Sequence, residues 1–243
     1  MSAQSFDAAP TRNTGARRTL NVVRMQFVNK QTYVWVPLIV LGGSFILSIL
    51  IFAMIPYDGV KVGGGSQAPL WYFLWVGVQS LTMTFPFSQA MSVTRREFYL
   101  GTLLAAVTTA AMLAVVFVLG GFVEQATDGW GVNGYFFYLE GLWAAGPLGA
   151  LLSFFVIAML FFIVGFWAAT IYKRFGTLWI TLVLVGLGLL LVGAVWLVGR
   201  LNAWVQVFTW FGEQGALGLT LWGLVLGVVL AAVSFLTLRR AVP

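Results

Sequence analysis

Residues 177–199 read TLWITLVLVGLGLLLVGAVWLVG, a run with no charged side chain, bounded by Lys173 and Arg174 on one side and Arg200 on the other. A helix needs roughly 20 mostly apolar residues to cross the hydrocarbon of a bilayer, and this run has that length and character. Further stretches of the same kind lie at approximately 34–55, 70–92, 100–123, 147–170 and 215–237. Every acid and every base falls outside these cores, as expected where a central Asp, Lys or Arg is penalised by about 2.5–3.5 kcal/mol. Composition agrees: 60% of the 243 residues are hydrophobic and 8% are charged, against about 25% charged in soluble domains. The pattern predicts an all-α membrane protein with six transmembrane helices, its six-span domain covering 33–243.

Whole classes of chemistry are excluded at the level of composition. The chain has no histidine and no cysteine, so it carries no Ser-His-Asp or Cys-His nucleophile, no thiolate or imidazole metal site and no disulfide. No catalytic residue and no metal-ligand set is expected, and the sequence does not read as an enzyme. A Walker loop needs Gly directly before its Lys. Lys30, Lys61 and Lys173 follow Asn29, Val60 and Tyr172 instead, so no nucleotide is expected to bind this chain by that route.

The 13 bases and 7 acids must be read by position, because short loops on the cytoplasmic side of a membrane are enriched in Lys and Arg. Arg12, Arg17, Arg18, Arg24 and Lys30 precede the first span; Arg95 and Arg96, then Lys173 and Arg174, lie in the second and fourth connections; Arg239 and Arg240 end the chain. The other side holds only Lys61 and Arg200, together with Asp58, Glu124, Asp128, Glu140 and Glu213. Both termini are therefore expected in the cytoplasm. The basic excess is accounted for by topology and by anionic headgroups of membrane lipids, and nucleic acid is not expected as a partner.

Residues 1–16 are rich in Ser, Ala, Thr and Asn, a composition expected to stay a flexible cytoplasmic tail. Over 17–32, Leu20, Val23 and Phe27 recur at i, i+3 and i+7 with Arg24 among the charged residues, as in an amphipathic helix lying in the membrane interface. A plain extension of the first span is the alternative. The stretch from Pro56 to Ser66 reads as a turn and a flexible loop. Between 124 and 146, Trp130, Tyr135, Phe136, Phe137, Tyr138 and Trp143 suggest an aromatic belt at headgroup level, or a role in substrate release. The segment 200–214 is too apolar for a free loop and too short to cross; it is expected to dip into the membrane before the sixth span. Gly223 and Gly227 have the GxxxG spacing of close helix contacts, a weak signal in a chain with 28 glycines.

Polar residues within the spans gather in the second one. Gln79, Thr82, Pro86 and Gln89, at i, i+3, i+7 and i+10, share a helical face. They could bond across helices and re-satisfy the carbonyl that Pro86 frees, or line a translocation path. No Asp, Glu or His stands at bilayer depth, which argues against proton coupling.

The most informative connection is Ala90 to Thr102, AMSVTRREFYLGT. Thr94 stands three residues before Glu97, the spacing of a capping box that starts a helix. The segment Ser92-Val93-Thr94-Arg95-Arg96-Glu97-Phe98 resembles the small-x-Ser-Arg-Arg-Glu-Phe sequence between the second and third spans of bacterial type-2 ABC transporter permeases, with Thr94 in place of the usual Ser. The resemblance implies a permease subunit of an ATP-binding-cassette exporter in the bacterial plasma membrane. It would pair with a second permease copy, the same or a homologous chain, and with two separate ABC ATPase subunits that bind ATP and Mg. Residues 93–101 would form a coupling helix in which Thr94 caps, Glu97 closes the box, Arg95 and Arg96 contact the ATPase and Phe98 inserts as an apolar anchor. With no embedded charge to recognise an ion, an amphipathic or lipid-like substrate is favoured. An ion-coupled secondary carrier and a non-transporting membrane immunity or assembly protein are the alternatives.

Overall fold

The computed structural model describes residues 15–28 and 30–239, so positions 1–14 of the predicted tail, Arg12 among them, and Arg240 lie outside the described residues, while Gly15 and Ala16, expected in that tail, instead begin the first helix. The chain is helical almost throughout. Helix α1 (Gly15–Val28) is followed by a π-helical turn, Gln31–Trp35, that runs directly into α2 (Val36–Met54). After α3 (Ala68–Gln79), a second π-turn, Ser80–Thr84, leads into α4 (Phe85–Ala90). Then come α5 (Arg95–Ala126), the short α6 (Glu140–Trp143), α7 (Gly146–Phe175), α8 (Thr177–Arg200) and α9 (Trp204–Leu238). Two short strands, β1 (Lys61–Val62) and β2 (Gly134–Tyr135), pair in parallel, with Lys61 opposite Gly134.

Five helices are long and apolar enough to cross a membrane: Gln31–Met54, Arg95–Ala126, Gly146–Phe175, Thr177–Arg200 and Trp204–Leu238. The remaining predicted span, 70–92, is the α3–π–α4 run, which stays helical from 68 to 90 without a gap. Its interruption has a local cause. Pro86 has no N–H to give and its ring crowds the carbonyl of Thr82 four residues back, so the helix widens by one residue in the preceding turn.

Helix α7 is the hub, packed against α3, α5 and α9. Its crossing with α3 is a backbone-to-backbone contact built on two glycines: a Cβ on Gly165 would strike the Leu74 carbonyl, and one on Gly77 would strike the Phe162 carbonyl. Helix α8, by contrast, buries no residue. Helix α9 changes direction at Gly215, where φ is +59°, which separates the arm 204–214 from the part that packs on α7. That break falls at the predicted boundary between the dipping segment and the last span.

One expectation needs correction. The stretch from Pro56 to Ser66 is not a free loop: β1 pairs with β2, Lys61 Nζ donates to the Phe52 carbonyl at 2.9 Å, and Asn133 Nδ2 donates to the Asp58 carbonyl at 3.1 Å. Helix α1 packs on the protein through a face other than the predicted interfacial stripe. Leu20 is exposed, as is Arg24, and Val23 and Phe27 are only partly buried. Val22 and Gln26 are the buried residues, set against the first turns of α5, where a Cβ on Gly101 would overlap Val22. The helix therefore has one face on the protein and another, carrying Leu20, Arg24 and Val28, turned away from it.

Candidate functional site

Three contacts gather the basic residues at one end of the bundle. Arg18 of α1 lies 3.9 Å from Glu97, Arg95 Nη1 donates to the Arg239 carbonyl at 2.7 Å, and Arg174 and Arg239 line one cleft. Lys61, Asp58 and Glu124 belong to the opposite end, around the β1–β2 pair.

The turn between α4 and α5 is the most sharply built element at the basic end. Ser92 takes a left-handed conformation (φ +57°), which lets its N–H reach the Gln89 carbonyl at 3.0 Å and that of Val93 reach Ser88 at 3.1 Å. Gln89 Nε2 closes the turn on the Val93 carbonyl at 3.1 Å. Thr94 then starts α5 with a complete capping box: Glu97 N–H donates to Thr94 Oγ1 at 3.3 Å, and Thr94 N–H donates to Glu97 Oε2 at 3.1 Å. A cleft of about 350 Å³ separates this turn from α1, with Arg18, Asn21, Met91 and Glu97 on its walls.

The expected roles of the neighbouring residues change. There is no separate short helix over 93–101, because the box caps α5 itself, a helix of 32 residues. Phe98 is completely buried, with its ring 5.2 Å from that of Phe85, so it is a core residue and not an anchor for a partner. Arg95 is partly buried and engaged with the end of α9. Arg96 is exposed and has no ion pair among the described residues, and Met91, in the turn that precedes α5, is an exposed apolar side chain.

A buried polar chain behind this turn was not anticipated. Gln26 Nε2 donates to Thr102 Oγ1 at 2.9 Å, Gln26 Oε1 accepts from the Tyr33 hydroxyl at 2.9 Å, and that hydroxyl lies 2.7 Å from Ser80 Oγ. It joins α1, the first π-turn, the second π-turn and α5, so the amphipathic helix is fixed in register with both spans that meet at the capped turn. Val22, Gln26 and Tyr33 recur at i, i+4 and i+11, a helical face that a search for apolar residues alone passes over.

The polar stripe of the second span bonds locally. Thr82 Oγ1 donates to the Val78 carbonyl at 3.0 Å, and Gln79 Nε2 reaches Met83 Sδ at 3.5 Å. Gln79, Thr82 and Gln89 are partly buried and Pro86 is exposed, next to exposed Met83 and Phe87. None of the hydrogen bonds of these side chains among the described residues crosses to another helix, so the stripe lies on an outward face of the bundle.

At the opposite end, the last turn of α5 carries Glu124, completely buried. Its Oε1 accepts from Phe136 N–H at 2.9 Å and from Trp130 Nε1 at 3.0 Å; its Oε2 accepts from Phe137 N–H at 2.8 Å and Tyr138 N–H at 2.7 Å. The segment 127–139 is thereby folded over the bundle. Phe136, Phe137 and Trp143 are buried, and Phe45, Phe117 and Phe136 form part of one ring cluster. For these rings the belt expectation is replaced by a packed cap. Sequence placed Glu124 just outside its span; the helix instead continues to Ala126.

No family model, no curated protein and no solved structure matches the chain. The functional reading therefore stands on the residues and geometry above.

Proposed function

We propose that the chain is the membrane-spanning subunit of an ATP-driven exporter, moving an amphipathic or lipid-like substrate with ATP hydrolysed in separate subunits. The observation that carries this reading is the capped turn between α4 and α5, closed by its own backbone hydrogen bonds, in contact with α1 and presenting Arg96 and Met91 outward. A push received there is delivered directly to two spans. The α3–π–α4 run counts as the second of six spans, since residues 68–90 reach roughly 34 Å at about 1.5 Å per residue, enough for about 30 Å of hydrocarbon. The basic end faces the cytoplasm with both termini, and the outward stripe of Gln79, Thr82, Pro86 and Gln89 faces a second permease copy across the translocation path. Two ATPase subunits, which bind ATP and Mg, complete the assembly in a bacterial plasma membrane.

A self-contained proton-coupled carrier would place an acid or a histidine at bilayer depth. Glu124 is the buried acid among the described residues, but it stands in the last turn of α5 and its two oxygens accept four N–H bonds from the segment it folds, the geometry of a structural strut. The test is co-purification of an ATPase subunit with the tagged full chain. Arg96→Ala should weaken the association roughly thirtyfold if Arg96 is a central contact. A chain that transports alone under an ion gradient, with no ATPase bound, would overturn the reading.

A further inference from the structure

At the basic end, α7 and α9 diverge to leave a cleft of about 520 Å³ lined by Arg174, Val233, Leu236, Thr237 and Arg239. We propose that this cleft binds the phosphate headgroup and upper acyl chain of an anionic phospholipid. The two guanidiniums stand on facing helices and neither has a carboxylate within 4 Å among the described residues. Each guanidinium is held over a ring by a cation–π contact that leaves its N–H edge available: Arg174 Cζ lies 4.4 Å from the Phe175 centroid and Arg239 Cζ 6.0 Å from that of Phe235. The Arg95 contact to the Arg239 carbonyl fixes the end of α9 and brings a third guanidinium close by.

The only described acid named at this end, Glu97, is engaged by Arg18 and Thr94, so it does not neutralise the cleft. Paired arginines suit a phosphodiester because their planar forks bond its oxygens in bidentate fashion. The apolar wall decides the source of the phosphate. Leu236 and Val233 are exposed on a helix apolar enough to cross a membrane, about one and two turns before Arg239, which is where an acyl chain leaves its headgroup. A free anion would make no use of that wall.

The inference rests on the membrane embedding of α7 and α9 and not on the ATPase partner. Its test uses delipidated full chain in detergent, titrated with phosphatidylglycerol or phosphatidylcholine and read by native mass spectrometry. Phosphatidylglycerol should bind at lower concentration, the Arg174→Gln/Arg239→Gln double variant should need roughly thirtyfold more of it, and Arg200→Gln at the other end should match the parent. Photoactivatable phosphatidylglycerol on the unaltered chain should crosslink within 171–176 and 231–239, a readout that does not depend on the variant folding. Equal binding of the two lipids, an unaffected double variant, or crosslinks elsewhere would overturn the site. Displacement of phosphatidylglycerol by millimolar inorganic phosphate would reassign it to a free anion. Loss of a bound ATPase subunit from the double variant, with the two lipids still binding alike, would make the cleft a protein contact and sink the lipid proposal.

Discussion

Helices α7 and α8 are consecutive, joined through Gly176, and equal in mean hydropathy, yet 56% of the apolar core of α7 is buried while none of α8 is. Hydropathy decides that both belong in a membrane and says nothing of which will pack. Lipid tails are as apolar as Leu, so helices associate in a bilayer only where backbones approach closely or polar groups meet. Helix α7 has both devices: Gly165 against Leu74 of α3, and Ser153 Oγ 2.7 Å from Thr220 Oγ1 of α9. Helix α8 has glycines at 186, 188 and 193, and each faces open space. Small residues are thus permissive; a facing backbone makes them effective.

The contrast can be broken by substitution. The largest loss is expected at the cap that rests on α5 and α7, since Glu124→Leu strips acceptors from three backbone N–H groups and one indole. At about 1–3 kcal/mol for each buried donor left unpaired, destabilisation should reach about 3 kcal/mol or more, read as a lower unfolding midpoint in detergent with new protease sensitivity in 127–139. An unchanged midpoint would mean that the rings alone hold the cap. Gly165→Val should cost roughly 1–3 kcal/mol by forcing α3 from α7, and unfolding at the parental temperature would refute the close crossing. Removing the α5 cap with Thr94→Ala should lose about 0.5–2 kcal/mol, seen as faster hydrogen exchange at 95–98; protection equal to the parent would show the box to be dispensable. Gly188→Val in α8 should stay within about 0.5 kcal/mol. A large effect there would reveal a partner for α8 and undo the comparison with α7.

How far the sequence could be read follows the range of the physics. Runs of apolar residues report on solvation, a local property, and the helices Gln31–Met54 and Thr177–Arg200 lie within a few residues of the predicted 34–55 and 177–199. The capping box is also local: Thr94 and Glu97 are three residues apart, and their spacing carries the geometry. Contacts between distant elements had no such signature. Gln26 meets Thr102 across 76 positions, and Phe98 looks like a surface aromatic until Phe85 is folded onto it. Glu124 was hidden because its partners are main-chain N–H groups, which every residue but proline has. Pro86 did forecast trouble in its helix, though the outcome was a π-turn rather than a bond across helices.

The pairing of β1 with β2 has a mechanical consequence. It ties the connection after α2 to the connection after α5, and Glu124 clamps the latter to the end of α5, so at that end the two connections are pinned together. Helix α5 is held at its other end as well, where Gln26 reaches Thr102 and Arg95 grips the Arg239 carbonyl. At about 1.5 Å per residue it is roughly 48 Å long, so a strand pair of two residues and a capped turn brace one long strut from opposite ends.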